Sequence, residues 1–243
     1  MDGNGRWAKD RGKPRPEGHK VGATAVKNVV TNCRRLGVKA LTLYAFSEQN
    51  WARPEEEVDA LMHLLKEYII SERDELLSNG IRVRAIGRIH RLPKHLQKLI
   101  ADVHSASLIN DRMTLTICLS YGGREEIADA AQALAKKVAA GEIRPDQVNE
   151  DTIGPLVPSL DVGPVDLLIR TGGETRISNF LLWAGAYAEL FFSPTLWPEY
   201  SQVDLYDAIY AFQQRNRRFG LAENVAGPEV TPDVEESARA AHG

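Results

Sequence analysis

A single α/β domain around a mostly parallel central sheet flanked by helices is the fold this sequence predicts, and three observations predict it. Short apolar and β-branched runs recur along the chain, as in strands covered on both faces. Between them lie longer segments with apolar residues at helical spacing. The two kinds alternate, which is the pattern of strands joined by crossover helices. A length of 243 residues fits one large domain or at most two small ones.

The elements follow in order. The chain opens with MDGNGRWAKDRGKPRPEGHK, which holds six Lys/Arg and three acids. It reads as a basic, glycine-rich phosphate loop, with His19 beginning a helix after it. Val26, Val29, Val30, Cys33 and Leu36 share the apolar face of that helix. Residues 40–46 read as the first strand, followed by SEQNWARP. Pro54 with Glu55, Glu56 and Glu57 starts the next helix, with acids at the positive end of its dipole. Its apolar face runs from Val58 through Leu61, Met62, Leu65, Tyr68 and Ile69 to Leu76, and Asn79-Gly80 ends it. Strands are expected at 83–87, 115–121, 166–171 and 188–193. Helices are expected around Leu96 to Val103, from Ile127 to Val138, and from Leu205 to Phe219. Residues 1–220 form the expected domain. Residues 221–243, rich in Ala, Glu, Pro and Gly with five acids against one Arg, read as an acidic disordered tail.

Composition narrows the function. Hydrophobic content of 43% and charged content of 26% are those of a soluble globular protein. No apolar run approaches the ~18 residues of a membrane span, and the start lacks the apolar core of a signal peptide. A cytoplasmic protein is expected. Cys33 and Cys118 sit in apolar segments and read as buried thiols of a reducing compartment, not as a disulfide. A net charge of −3 argues against nucleic-acid binding. The first twenty residues are nevertheless net +3, so local charge is more telling.

Open α/β sheets bind ligands at the carboxyl ends of their strands. SEQNWARP, GGRE and GGETRISNF follow three of the expected strands there. Glycines let backbone N–H groups approach phosphate oxygens, and arginine offers a bidentate fork. Ser178 is placed to cap a following helix. Any one of these is also an ordinary βα turn. Together with the opening stretch they predict an anionic ligand carrying more than one phosphate. Asp2 is the carboxylate inside the glycine stretch, and reads either as a Mg²⁺ ligand beside phosphates or as a turn-forming Asp-Gly. Glu189, inside the last strand, is either an inward metal or arginine partner or an edge-strand glutamate. The six histidines show no metal-ligand spacing. GNGRWA fits the dinucleotide pattern G-x-G-x-x-A, but no strand precedes it and no acid ends a strand about twenty residues on. Neither a P-loop nor G-x-S-x-G occurs.

MDGNGRWA, GHK after a basic stretch, LTLYAFS with NW and RP, YGGR, DLLIRTGGE, RISNFLLW, AYAEL and RRFG occur in that order. Together they resemble the cis-prenyltransferases of the bacterial undecaprenyl diphosphate synthase type, over roughly residues 1–220. No adjacent Asp-Asp pair occurs, so the aspartate-rich motif of trans-prenyltransferases is absent. The resemblance implies elongation of an allylic diphosphate, typically farnesyl diphosphate, by repeated cis addition of isopentenyl diphosphate. The product would be a polyprenyl diphosphate carrier for the cell envelope.

By the same resemblance, Gly3, Asn4, Gly5 and Arg6, with Trp7 and Arg15, would hold the allylic diphosphate, with His19 near its head group. Arg170, Arg176 and Ser178 would hold isopentenyl diphosphate. Asp2 would bind Mg²⁺, with Glu189 contributing to the metal site. Ser47 and Asn50 would stand near the proton lost from isopentenyl diphosphate. Trp51, Arg53 and Glu57 would position substrate and the mobile segment around it. An apolar tunnel is implied, with Ala45 and Met113 on strands that line it and the helix from Val58 as a wall. A homodimer is implied, with Arg218 and Gly220 near the partner's active site, as is transient membrane association for product release. Departures are Gln49 where Glu is usual, Thr175 at a variable position, and Arg88 where Asp is common.

Relatives carry an apolar strand ending at the Met of MDGNGRW, and Met1 occupies that place, so a first strand is expected to be missing from the sequence as given. The competing readings are a short-chain cis-prenyl diphosphate synthase, a non-catalytic prenyl-diphosphate-binding subunit, and, more distantly, a nucleotide-binding oxidoreductase.

Overall fold

The strands lie close to where the apolar runs placed them. The computed structural model describes residues 1–215. In chain order it contains α1 (Asn4–Asp10), α2 (Arg15–Arg35), β1 (Ala40–Ser47), α3 (Glu55–Ser78), β2 (Ile81–Ile86), α4 (Lys94–Ala106) and β3 (Met113–Tyr121). Then follow α5 (Gly123–Ala139), the short α6 (Glu150–Ile153), β4 (Leu167–Arg170), β5 (Glu189–Phe192) and α7 (Gln202–Gln213). The end of the last expected helix, Arg218, Gly220 and the acidic tail lie outside the described residues.

The strands form two parallel ladders. One has the order β1-β3-β2; the other pairs β4 with β5. β3 is buried on both faces along nearly its whole length, with Thr116 and Ser120 buried among its apolar residues. Its register with β1 shifts between Tyr44 and Phe46, leaving Ala45 in a bulge. The core joins α2 and α3 to this ladder through residues such as Val29, Met62 and Leu115. Pro54 caps α3, with Glu55, Glu56 and Glu57 filling its first turn. Asn79 ends α3 and Gly80 takes a left-handed φ of 71°.

Two expectations are corrected. The opening stretch is not a loop: from Asn4 it is helical, and α1 folds back onto α2. Gly18 permits that contact, because a Cβ there would stand 2.0 Å from the Asn4 carbonyl oxygen. His19 accordingly sits one turn inside α2. Nor does a helix follow Ser178. Residues 171–188 form turns, with Ser178, Asn179 and Leu181 at φ of 48°, 62° and 46°. For residues that are not glycine this left-handed backbone costs on the order of 1 kcal/mol or more each, so tertiary contacts must hold it.

Candidate active site

Asp2 is fixed by its backbone before its side chain acts. Its N–H donates to Thr171 Oγ1 at 2.9 Å, and the Thr171 hydroxyl donates back to the Asp2 carbonyl at 2.9 Å. The same carbonyl accepts the Trp197 N–H at 2.9 Å. Asp2 is thereby bolted to the carboxyl end of β4. Its carboxylate accepts Arg170 Nη2 at 2.8 Å and lies 3.5 Å from Arg6 Nη2. Burial alone would raise the Asp2 pKa. The Arg170 hydrogen bond and charge, helped by Arg6, outweigh it and hold the group below its ordinary value.

Arg170 links this corner to the turn after it. Its Nη1 donates to Ser178 Oγ at 2.6 Å and to the Arg176 carbonyl. The Arg176 side chain pairs with Glu174. Ser178 therefore receives an arginine and retains its own hydroxyl proton to donate.

A second basic cluster faces the same space. Glu57 Oε1 accepts Arg53 Nη1 at 2.9 Å and lies 3.4 Å from Arg15 Nε. The Arg15 guanidinium lies beside Gly5, where a Cβ would come within 3.2 Å of it. His19 is held neutral beside these arginines. Burial, then the Arg53 and Arg15 charges, lower its pKa to about 4 against the opposing pull of Glu57. His19 Nε2 and Asn4 Oδ1 are buried polar atoms without a hydrogen-bond partner among the described residues. A ligand atom in their neighbourhood would satisfy them.

Ser47 and Asn50 form one structural unit. The Ser47 N–H donates to Asn50 Oδ1 at 2.9 Å and starts a 3-10 turn, Glu48–Ala52. Trp51 anchors the turn: its Nε1 donates to Ser120 Oγ at 2.8 Å, and Ser120 Oγ donates to Glu48 Oε2 at 2.6 Å. Arg91 pairs with Glu48 and lies over the Trp51 ring. Sequence reasoning did not find Glu48, Ser120 or Arg91. Thr171 was also missed, although its place directly after Arg170 at a strand end was a usable signal.

Two residues and one motif fall elsewhere than expected. Trp7 is buried against Glu199 and Arg11, with its Nε1 3.2 Å from Glu199 Oε1. Glu189 pairs with Leu167 at the start of the β4–β5 ladder, whereas Arg170 pairs with Phe192 at its end. That sets the two about 10 Å apart along the strands, so this register does not bring Glu189 to Asp2. GGRE is not a phosphate cradle: the Gly123 N–H donates to the Asn179 carbonyl at 2.7 Å and the Arg124 N–H to Asn179 Oδ1 at 2.8 Å.

Most of the remaining residues share one cavity of about 820 Å³, but Arg6, Trp51, Glu57 and Arg176 are not part of its lining. Asp2, Asn4, Arg15, His19, Arg170 and Ser178 line its polar part, together with Ser47, Asn50 and Arg53. The rest of its wall is largely apolar, from α2, α3, β1 and β4. Ala45 faces this space, while Met113 is buried in the core and is not part of the wall. A cavity cationic in one region and oily in the other suits an amphiphile with an anionic head and a hydrocarbon tail.

Asp2 also suits a hard divalent cation. Such an ion binds through one or two carboxylates plus ligand phosphates rather than in an all-protein cage. Among the described residues no group of three or more His, Cys, Asp or Glu forms such a cage. Nor is any helix among them long and apolar enough to cross a membrane.

Comparisons with known proteins agree with this chemistry. The family described as "Putative undecaprenyl diphosphate synthase" matches residues 1–220. Isoprenyl transferase 1 of Streptomyces coelicolor is 50% identical over 222 residues, covering 91% of this chain and 80% of its own length. A ditrans,polycis-undecaprenyl-diphosphate synthase of Vibrio parahaemolyticus, named as (2E,6E)-farnesyl-diphosphate specific, is 48% identical, covering 90% and 88%. Among solved structures, lavandulyl diphosphate synthase of Lavandula x intermedia with dimethylallyl diphosphate aligns with a TM-score of 0.88 at 38% identity, covering 90% of this chain and 95% of that one. A probable undecaprenyl diphosphate synthase of Campylobacter jejuni aligns with a TM-score of 0.72 at 32% identity, covering 83% and 92%.

Proposed function

Since this chain belongs to the undecaprenyl diphosphate synthase family, the cis-prenyltransferases, we infer that it elongates farnesyl diphosphate by repeated cis addition of isopentenyl diphosphate. The product is an undecaprenyl-type diphosphate. The observation that carries the reading is the single cavity with Asp2, Arg15 and Arg170 in its polar part and an apolar wall beyond.

Each cycle forms one carbon–carbon bond, releases diphosphate and loses one proton. Negative charge develops on the departing diphosphate, and fixed donors in a water-poor site stabilise such charge best. The backbone of Gly3, Asn4 and Gly5, with Arg6 and Arg15, takes that role for the allylic diphosphate. Neutral His19 offers a hydrogen bond to the same head group. Arg170, Arg176 and Ser178 hold the second diphosphate. Asn50, whose Oδ1 is tied to the Ser47 N–H, sits where the proton is lost. Asp2 would hold a Mg²⁺ ion, which when bound would supply charge neutralisation for the leaving group. The apolar wall, Ala45 included, takes the growing chain.

The same reading makes the chain a cytoplasmic homodimer that meets the membrane to deliver its product. Support for an interface comes from exposed apolar residues on β5 and α7, with Leu190 at 38%, Val203 at 67% and Tyr210 at 64%. The decisive experiment mixes the protein with farnesyl diphosphate, labelled isopentenyl diphosphate and Mg²⁺, then separates products by chain length. Long polyprenyl diphosphates support the proposal, a ladder ending after one or two additions favours a short-chain synthase, and binding without elongation overturns it.

A further inference from the structure

The contacts made by Asn179 go beyond fold maintenance. Asn179 holds a left-handed backbone between Ser178 and Phe180, and its carbonyl and both side-chain polar atoms are used on the start of α5. Its carbonyl accepts the Gly123 N–H at 2.7 Å, and its Oδ1 accepts the Arg124 N–H at 2.8 Å. Its Nδ2 donates to Glu125 Oε2 at 2.9 Å. The first turn of α5 thus receives a protein side chain in place of an external anion.

The fit extends to the glycines of YGGR. A Cβ on Gly122 would stand 2.6 Å from Asn179 Nδ2 and 2.0 Å from Glu125 Oε2. A Cβ on Gly123 would stand 2.6 Å from Leu182 Cγ. The pair clears a seat for the turn. Phe180 adds an aromatic anchor, stacked on Tyr44 of β1 at 4.5 Å between ring centroids. Glu125 also accepts Gln49 Nε2 at 3.3 Å through its other oxygen, and so touches the 3-10 turn that carries Asn50.

We propose that Asn179 is a positioning residue: it clamps the strained turn onto α5 so that Ser178 and the Arg176 carbonyl hold the Arg170 guanidinium in place for isopentenyl diphosphate. The inference rests on the reading of Arg170 and Ser178 given above. Asn179 itself faces α5, and its influence on substrate passes through Ser178. Loss of the clamp therefore affects the capture of one diphosphate far more than that of the other.

The test uses the full chain carrying Asn179→Asp, alone and with Glu125→Gln. The first substitution keeps an acceptor for Arg124 but sets two carboxylates against each other. The second restores a donor–acceptor pair with its polarity reversed. Two readouts are taken: hydrogen–deuterium exchange of residues 172–183 without substrate, and KM for each substrate with kcat. The expected result is faster exchange in that segment and a KM for isopentenyl diphosphate raised at least tenfold. KM for farnesyl diphosphate stays within twofold, and Glu125→Gln returns both affected readouts most of the way. Unchanged exchange overturns the clamp, and so does a uniform change in both KM values or a failure of rescue. Faster, rescuable exchange with the KM effect on farnesyl diphosphate instead overturns the assignment of Arg170 and Ser178 to isopentenyl diphosphate while the clamp stands.

Discussion

The Arg170 guanidinium and the Asp2 carboxylate meet at 2.8 Å although 168 positions separate them in sequence. The Arg170 side chain is only 13% exposed. Each neutralises the other in the absence of substrate, and each is the group the proposed chemistry needs when a diphosphate arrives.

Asp2→Ala is expected to lower kcat at least about a hundredfold, as loss of a charge-stabilising group commonly does. The fold should persist, because Thr171 and Trp197 hold the backbone of residue 2 rather than its side chain. Steady-state kinetics with thermal unfolding checks both halves, and turnover at the wild-type rate would remove Asp2 from the chemistry.

Chelation of divalent cations should stop elongation, and added Mg²⁺ should restore it. Because Arg170 and Arg6 lower the pKa of Asp2, its carboxylate should add no pH dependence to metal affinity between pH 8 and 6 beyond the protonation of the diphosphate itself. Titration calorimetry with Mg²⁺ and a non-hydrolysable diphosphate analogue, corrected for the analogue's own protonation, measures it. A remaining steep pH dependence in this range contradicts the assignment.

His19 makes stability pH-dependent. Its folded pKa of about 4 lies below the ordinary 6.5, so between those values the unfolded chain binds the extra proton. Stability is therefore complete above the unfolded value and is lost as pH falls through the window, by about 2 kcal/mol between pH 7 and pH 5. Urea unfolding of wild type and His19→Gln at both pH values checks this, and the variant should show a flatter dependence.

Ala45→Phe should shorten the product. Ala45 sits in the β1 bulge on the cavity wall, and a ring there occupies space the chain would use. Chromatography should show a shift to shorter polyprenyl diphosphates with the first additions preserved. An unchanged length distribution counts against the cavity as the site of growth.

Gly18→Ala should destabilise the protein by about 1–3 kcal/mol. The added Cβ would stand 2.0 Å from the Asn4 carbonyl oxygen, and that atom belongs to α1 rather than to a yielding side chain. Denaturant unfolding measures the loss, and an unaltered midpoint would show that α1 can shift at no cost.

The sequence showed most of the fold because local and global signals agreed there. The five strand cores and the α3 boundaries at Pro54 and Gly80 needed only periodicity and cap chemistry. Where tertiary contacts decided, local reading failed. Glycines at 3 and 5 with many charges argue for a loop, yet α1 forms because it docks on α2. Ser178 resembles a helix cap, but the turn around it is left-handed and is held by long-range contacts, Asn179 on α5 and Phe180 on Tyr44. Arg170 was readable from its place at a strand end and Asp2 as a carboxylate among glycines, whereas the other arginines were placed only by the family resemblance. The Glu48–Ser120–Trp51 unit was not readable, since its members are brought together only by the ends of β1 and β3.

The division of the cavity into a charged region and an oily one bears on when the product can leave. Each five-carbon unit pushed against the apolar wall gains up to about 4 kcal/mol at ~0.8 kcal/mol per carbon, roughly a thousandfold slower escape per step. Under the proposed elongation, intermediates would therefore stay committed through successive additions, and the gain would end when no unfilled wall remained. Processivity and termination then have one origin, the extent of hydrocarbon surface, and no separate clock is needed to count the units.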